Sequence, residues 1–177
     1  LMGYVNSVKN SYIKQLLDSF FMEDTAFIHK FKNVSAAKTV HHGFSGGLLE
    51  HSLSVTRMCA HMADNYDYLN RDLLVACAML HDAGKVRELS AFPKNDYTDE
   101  GNFIGHIVIG YEMIMEKVRG IEGFPEVLAS EIGHCILSHH GELEYGSPKK
   151  PSIAEALALS MADNMDAKME TMREVLE

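Results

Sequence analysis

Nothing in the 177-residue sequence approaches the roughly 18 consecutive apolar residues that a membrane span requires, and its first residues lack the basic, apolar and small-residue order of a secretory signal. A soluble, cytoplasmic protein with no membrane partner is expected. Cysteine is scarce as well. Cys59, Cys77 and Cys135 are odd in number, far apart and set in apolar patterns, with neither zinc-ligand nor redox-motif spacing, so they read as reduced packing residues. Positive charge also falls short: 16 lysines and arginines against 25 aspartates and glutamates leave a formal charge of −9. The surface as a whole therefore repels a polyanion, and any grip on RNA or DNA has to be local, metal-assisted or supplied elsewhere. Repeats, low-complexity tracts and convincing pairs of β-strands are missing, which leaves one helical bundle as the simplest architecture. Because the chain starts with Leu1 and Met2, it is expected to be a piece of a longer protein.

Hydrophobic residues make up 46% of the sequence, enough for a continuous core in one domain of ordinary size. Residues 7–22 carry Val8, Tyr12, Ile13, Leu16, Leu17, Phe20 and Phe21 at three- and four-residue steps, the period of an amphipathic helix, and a short helix over 25–32 is expected to follow. Three glycines in 43–47 break the pattern before a long helix over 48–66, which places His51 in its first or second turn. Asn70 is a candidate N-cap for a helix whose residues 73–80 are apolar on every side, as a central buried helix must be. Residues 91–102 read as a turn-rich connection with a short extended piece at Tyr97. Helices are expected over 103–118, from Gly123 and Pro125 to about 139, and over 153–175. The methionines, Met113, Met115, Met161 and Met165 among them, read as adaptable core filling.

His81 and Asp82 stand at the end of the all-apolar helix, where adjacent polar groups are costly to bury unless something satisfies them. A divalent cation would do so, since neutral imidazole offers a nitrogen lone pair and a carboxylate can bridge two cations about 3.5–4 Å apart. Asp82 is the candidate bridge. Lys85, three residues after Asp82 and four after His81, projects on the same face if the helix continues, where its ammonium could meet a phosphate oxygen. The plainer reading makes the pair a polar helix end and Lys85 a cation compensating the helix dipole.

The order His51, His81-Asp82, His106, His139-His140, Asp163 resembles the HD superfamily of metal-dependent phosphohydrolases. In that family a histidine, a His-Asp pair and a distal aspartate bind one metal on a helical scaffold, positions matched by His51, His81, Asp82 and Asp163. Members with a second metal add histidines, matched by His106, His139 and His140. Further strings narrow the likeness: Asn70-Arg71-Asp72-Leu73-Leu74, Leu80-His81-Asp82-Ala83-Gly84-Lys85, Glu100-Gly101-Asn102 with Gly105-His106, Leu137-Ser138-His139-His140-Gly141, Gly146-Ser147-Pro148-Lys149, and Asp163-Asn164 with Asp166-Ala167-Lys168. Together, over about residues 41–169, they are similar to the HD domain of YhaM-type 3′-5′ exoribonucleases. The resemblance implies an all-α HD-domain bundle with a two-metal site at its centre. Residues 1–177 would form a single HD domain, with an N-terminal helical region over 1–40 and a metal-binding core over 41–170. It also implies a preceding OB-fold nucleic-acid-binding domain, for which this chain has no counterpart.

Gly105 before His106 permits a close backbone approach, and Gly141 lets the helix end so that His139 and His140 can turn to one cation. Asp163 sits among Ala158, Leu159, Met161 and Ala162, where an unpaired carboxylate is disfavoured. Asp166 reads as a solvated partner for Lys168 in preference to a group behind a metal ligand. His134 faces elsewhere, and His29 and His61 read as surface residues. Ser147, Lys149 and Lys150 form the local basic cluster that could hold a phosphate backbone, and His42 in the glycine-rich loop is a further candidate for substrate contact, with Lys85 the main one.

The function these residues and the resemblance imply is phosphodiester hydrolysis by two divalent ions, Mn²⁺ by the resemblance, with Fe, Mg²⁺, Ni²⁺ or Zn²⁺ as alternatives. Asp82 and Lys85 carry the chemistry, and the leading reading is stepwise 3′-5′ release of nucleoside monophosphates from an RNA 3′ end, with a single-stranded DNA 3′ end as a further candidate partner. A phosphohydrolase of small nucleotides is the second reading. A non-catalytic, metal-stabilised binding or regulatory module is the third. Association into a homo-oligomer is also open.

Overall fold

The computed structural model describes residues 1–36 and 45–176, and among these every regular element is helical. In chain order they are α1 (Met2–Ser7), α2 (Ser11–Phe21), α3 (Thr25–Asn33), α4 (Gly47–Asn65), α5 (Arg71–Leu80), α6 (Lys85–Glu88), α7 (Asp99–Phe103), α8 (His106–Gly120), α9 (Glu126–Ser138), a single 3-10 turn (Leu143–Tyr145) and α10 (Ala154–Leu176). The expected bundle is found. No described helix is long and apolar enough to cross a membrane.

Local chemistry sets most boundaries. The Asn70 side chain accepts the Leu73 N–H at 3.2 Å and starts α5, whose residues 73–80 are all buried. Each leucine fully buried there contributes about 1.5–3 kcal/mol, so this ten-residue helix anchors the core. The helices α2, α4, α9 and α10 pack around it, and α8 lies against α9. Before them, Phe20, Phe21, Phe27 and Phe31 form an aromatic cluster with mostly edge-to-face contacts between α2 and α3. The three cysteines are free and buried.

Several expectations need correcting. The stretch 7–22 is not one helix: Asn10 caps α2 by accepting from the Tyr12 and Ile13 N–H groups, while Asp72 accepts from the Lys9 and Asn10 N–H groups and holds the chain at a break. The connection over 91–102 contains the extended contact expected at Tyr97, an antiparallel bridge to Leu89, but Thr98 then caps the short helix α7, and α8 begins at His106 instead of residue 103. Met113 and Met115 pack against the core as expected, whereas Met161 and Met165 stand on the exposed face of α10. Helix α10 turns Leu159, Ala162 and Asp166 inward instead.

Candidate metal centre

Helix α5 stops at Leu80 because the chain tightens into three-residue turns: the Ala83 N–H reaches the Leu80 carbonyl and the Lys85 N–H reaches the Asp82 carbonyl, each at 3.0 Å. That turn fixes His81 and Asp82 at 0% and 2% exposure, in the middle of the molecule. From one side α4 brings His51 and α10 brings Asp163. His51 Nε2 lies 3.1 Å from His81 Nε2, 3.2 Å from Asp163 Oδ1 and 3.4 Å from Asp82 Oδ2. Around a divalent ion with bonds of about 2.0–2.2 Å to nitrogen and oxygen, neighbouring ligand atoms stand about 3–3.5 Å apart, so these spacings match the edges of a coordination shell.

A second group gathers on the other oxygen of the same carboxylate. Asp82 Oδ1 is 3.4 Å from His106 Nε2 and 3.7 Å from His139 Nε2, and His140 joins them, its ring centroid 4.5 Å from that of His139. Both histidines can face one point because α9 ends at Ser138 and Gly141 takes φ +83°, a conformation that side chains other than glycine's rarely allow. The expected reason for Gly105 changes: a Cβ there meets nothing within 4 Å, and its φ of +80° is what requires glycine. Close backbone approach occurs at Gly84 instead, where a Cβ would lie 2.0 Å from the His106 carbonyl oxygen. The turn carrying Asp82 is thereby seated directly on the start of α8.

Every one of these five imidazoles is held through Nδ1. The rings of His81, His139 and His140 donate to the carbonyls of Ala78, Ile136 and Tyr145 at 2.8, 2.7 and 2.8 Å. His51 Nδ1 meets Asp166 Oδ2 at 2.7 Å, and His106 Nδ1 meets Glu88 Oε1 at 3.0 Å. With Nδ1 carrying the hydrogen, a neutral ring presents the Nε2 lone pair inward; His51, which faces Asp163 through Nε2, would do so once a cation replaces its Nε2 proton. Buried Nε2 atoms of His106 and His139 and the Oδ1 of Asp82 have no hydrogen-bond partner in the protein. Buried acceptors crowded together in this way lack the positive charge that would satisfy them, and a pair of cations fits the donor set.

The electrostatics agree. Burial would push the Asp82 carboxyl up, but Lys85 and His81 beside it hold it well below the usual carboxylate range. Burial likewise opposes ionisation of Asp163, and contact with His51 overcomes it. For His51, burial works against protonation, yet hydrogen bonds with Asp163 and Asp166 raise its pKa to about 9. His139 and His140 are pushed down, in both cases chiefly by burial.

Two carboxylates behind the rings were misjudged or unnoticed in the sequence. Asp166 is buried at 6% exposure and bonded to His51, while Lys168 is exposed, so Asp166 is not a solvated partner for that lysine. It lies one turn beyond Asp163 on the same face of α10, the signal that pointed to it. Glu88, which also accepts the His106 backbone N–H at 3.0 Å, went unnoticed.

Lys85 Nζ donates to Asp82 Oδ2 at 2.8 Å and to the Ala36 carbonyl at 2.6 Å, and it lines an open cavity of about 210 Å³ with His140, Tyr145 and Asn164. Ser147 and Lys149 are not brought to that cavity: Ser147 is buried and Lys149 faces solvent, while Tyr145 of the same loop reaches the opening. Lys150 pairs with Glu142 at 2.5 Å. His134 accepts from the Ser152 N–H at 2.9 Å, away from the centre, and His29 and His61 are exposed. The expected contact by His42 lies outside the described residues.

A family model described as the HD domain matches residues 48–168. Among curated proteins, the 3′-5′ exoribonuclease YhaM of Bacillus subtilis is 41% identical over 98% of this chain and 54% of its own. The proteins of the same name from Bacillus pumilus and Listeria monocytogenes are each 38% identical, over 100% and 98% of this chain and 55% and 54% of theirs. The chain thus spans about half the length of the curated relatives it matches. No solved structure matches it.

Proposed function

We propose, since the chain belongs to the HD domain family, that it is the hydrolytic portion of a metal-dependent 3′-5′ exoribonuclease that releases nucleoside monophosphates from an RNA 3′ end. The observation that carries the reading is Asp82, whose two oxygens each face a separate set of inward-pointing imidazoles. His51, His81 and Asp163 with one Asp82 oxygen would hold one divalent ion, and His106, His139 and His140 with the other oxygen a second, with Mn²⁺ the ion this reading assigns to both. Bound there, the ions supply Lewis acidity to a phosphoryl oxygen and lower the pKa of water.

The side chains do the rest. Asp82 stays ionised at every physiological pH because Lys85 lies against it. The Lys85 ammonium, at the cavity wall, takes up negative charge that grows on the non-bridging phosphoryl oxygens during attack. Tyr145, two-thirds exposed beside the opening, offers its ring to the terminal nucleobase, a stacking contact that any base can make. The cavity is smaller than the roughly 300–1,000 Å³ of a site that engulfs a small ligand, which favours a chain end entering from outside.

The acidic balance of the chain favours a second reading, hydrolysis of small nucleotides. Digestion of a 5′-labelled oligoribonucleotide with Mn²⁺ separates the two. A ladder of products one nucleotide apart with release of nucleoside 5′-monophosphates is expected. Turnover confined to mononucleotides, or two bound ions with no turnover of either substrate, overturns the exonuclease reading.

A further inference from the structure

The five imidazoles differ in what stands behind them. His81 and His139 are held by carbonyls three residues back in their own chain, and His140 by the Tyr145 carbonyl five residues on. His51 and His106 are held by carboxylates from other elements. His51 sits in the body of α4, where backbone carbonyls are engaged in the helix, and Asp166 of α10 reaches it across the core. His106 is the first residue of α8, and Glu88 of α6 accepts both its ring Nδ1–H and its backbone N–H. There is one such ring in each of the two sets of candidate ligands.

Both carboxylates are buried, Asp166 at 6% and Glu88 at 8% exposure, a placement that is unfavourable unless the charge is used. The Ser54 hydroxyl donates to the other oxygen of Asp166 and so fixes its plane. A carboxylate accepting from Nδ1 holds the ring's tautomer and orientation and makes Nε2 a stronger electron donor than a carbonyl would.

We propose that Asp166 and Glu88 are positioning residues, one for each ion, that each set the affinity of one metal position through its own ring: Asp166 through His51 and Glu88 through His106. The inference rests on the two-ion reading above. Among the described residues Asp166 bonds the ring of His51 and Glu88 that of His106, so each acts directly on its own position and reaches the other only through the shared Asp82.

Calorimetric titration of the chelator-stripped protein with Mn²⁺ tests this, with Asp166→Asn and Glu88→Gln as same-shape variants and Asp166→Ala and Glu88→Ala as truncations. Wild type is expected to bind two ions. Each alanine variant should bind one of them 10–100-fold more weakly, and each same-shape variant should lose less, because it keeps a hydrogen-bond acceptor without the charge. Combining Asp166→Ala with His51→Ala should add no further loss beyond His51→Ala alone, while combining it with His106→Ala should be additive, with the mirror pattern for Glu88. Wild type binding two ions while all four variants bind both unchanged, or while any variant weakens both ions equally, overturns the inference and leaves the two-ion reading standing. Failure of wild type to bind two ions overturns both together. A lowered melting temperature of the stripped variants with unchanged Mn²⁺ affinities would assign the carboxylates a structural role only and also overturns the proposal.

Discussion

Replacing Gly84 with alanine adds a single methyl group where the turn bearing Asp82 rests on the first residue of α8. Its backbone angles, φ −63° and ψ −20°, are ones alanine adopts readily, so the backbone preference by itself would favour the variant by about 0.4–1 kcal/mol. Sterics oppose this. The new Cβ would lie 2.0 Å from the His106 carbonyl oxygen and 2.6 Å from the Gly110 nitrogen, both backbone atoms that cannot rotate away. Relief to the ordinary 3.4 Å requires the two segments to part by about 1.4 Å. Overpacking of this kind costs about 1–3 kcal/mol, which outweighs the backbone preference, and for a chain of this size a net loss of about 1–2 kcal/mol lowers the melting temperature by about 2–8 °C. The same displacement carries His106 away from Asp82 Oδ1, so turnover should fall about 100-fold and the ion between them should be held less tightly. Thermal unfolding in chelator, ion stoichiometry and mononucleotide release are the measurements. Two glycines grade the effect: Gly110→Ala meets Gly84 N at 3.1 Å and should lose less, and Gly120→Ala, with open space around it, should lose nothing. Gly84→Ala with wild-type melting, two ions and full turnover would refute the claim that this contact seats the centre.

Lys85→Met should lower kcat at saturating metal by about 10²–10³-fold, the usual loss for one donor to developing oxyanion charge, and an unchanged kcat removes Lys85 from the chemistry. In chelator, the stability of the protein should depend on His51. Its pKa is raised from 6.5 to about 9 by folding, so the contribution, up to about 3 kcal/mol, is complete below pH 6.5 and vanishes as pH rises through 9. Denaturation midpoints measured across that window should decline, and His51→Gln should flatten the curve; a midpoint that rises over the same range contradicts the assignment.

The helices and the crowding of His81 and Asp82 at a buried helix end could be read from local pattern, because an unbroken apolar run such as 73–80 admits few other placements. What escaped were the features decided by contacts distant in sequence. The break before α2 depends on Asp72, 62 residues further on, accepting the Asn10 N–H. The role of Asp166 depends on His51, 115 residues away, whereas local pattern offered only the nearby Lys168 as a partner. Glu88 closes the four-residue helix α6, whose orientation is set by the glycine contact with α8, and nothing in its immediate neighbours distinguishes it from a surface glutamate. The exposure of Met161 and Met165 turns on the rotation of α10, which is fixed by Asp163 and Asp166 facing His51.

If two ions are held as proposed, one carboxylate serves both halves of the centre, and loading on either side would be felt on the other. A cation drawing electron density from one oxygen of Asp82 leaves the second oxygen a poorer donor, and the penalty is reciprocal: whichever ion arrives first weakens its neighbour by the same factor. In the two-ion reading, the protein would then hold a single ion over a range of scarce metal and reach full occupancy only at higher supply, so that Asp82 would make the centre a gauge of how much cation surrounds it.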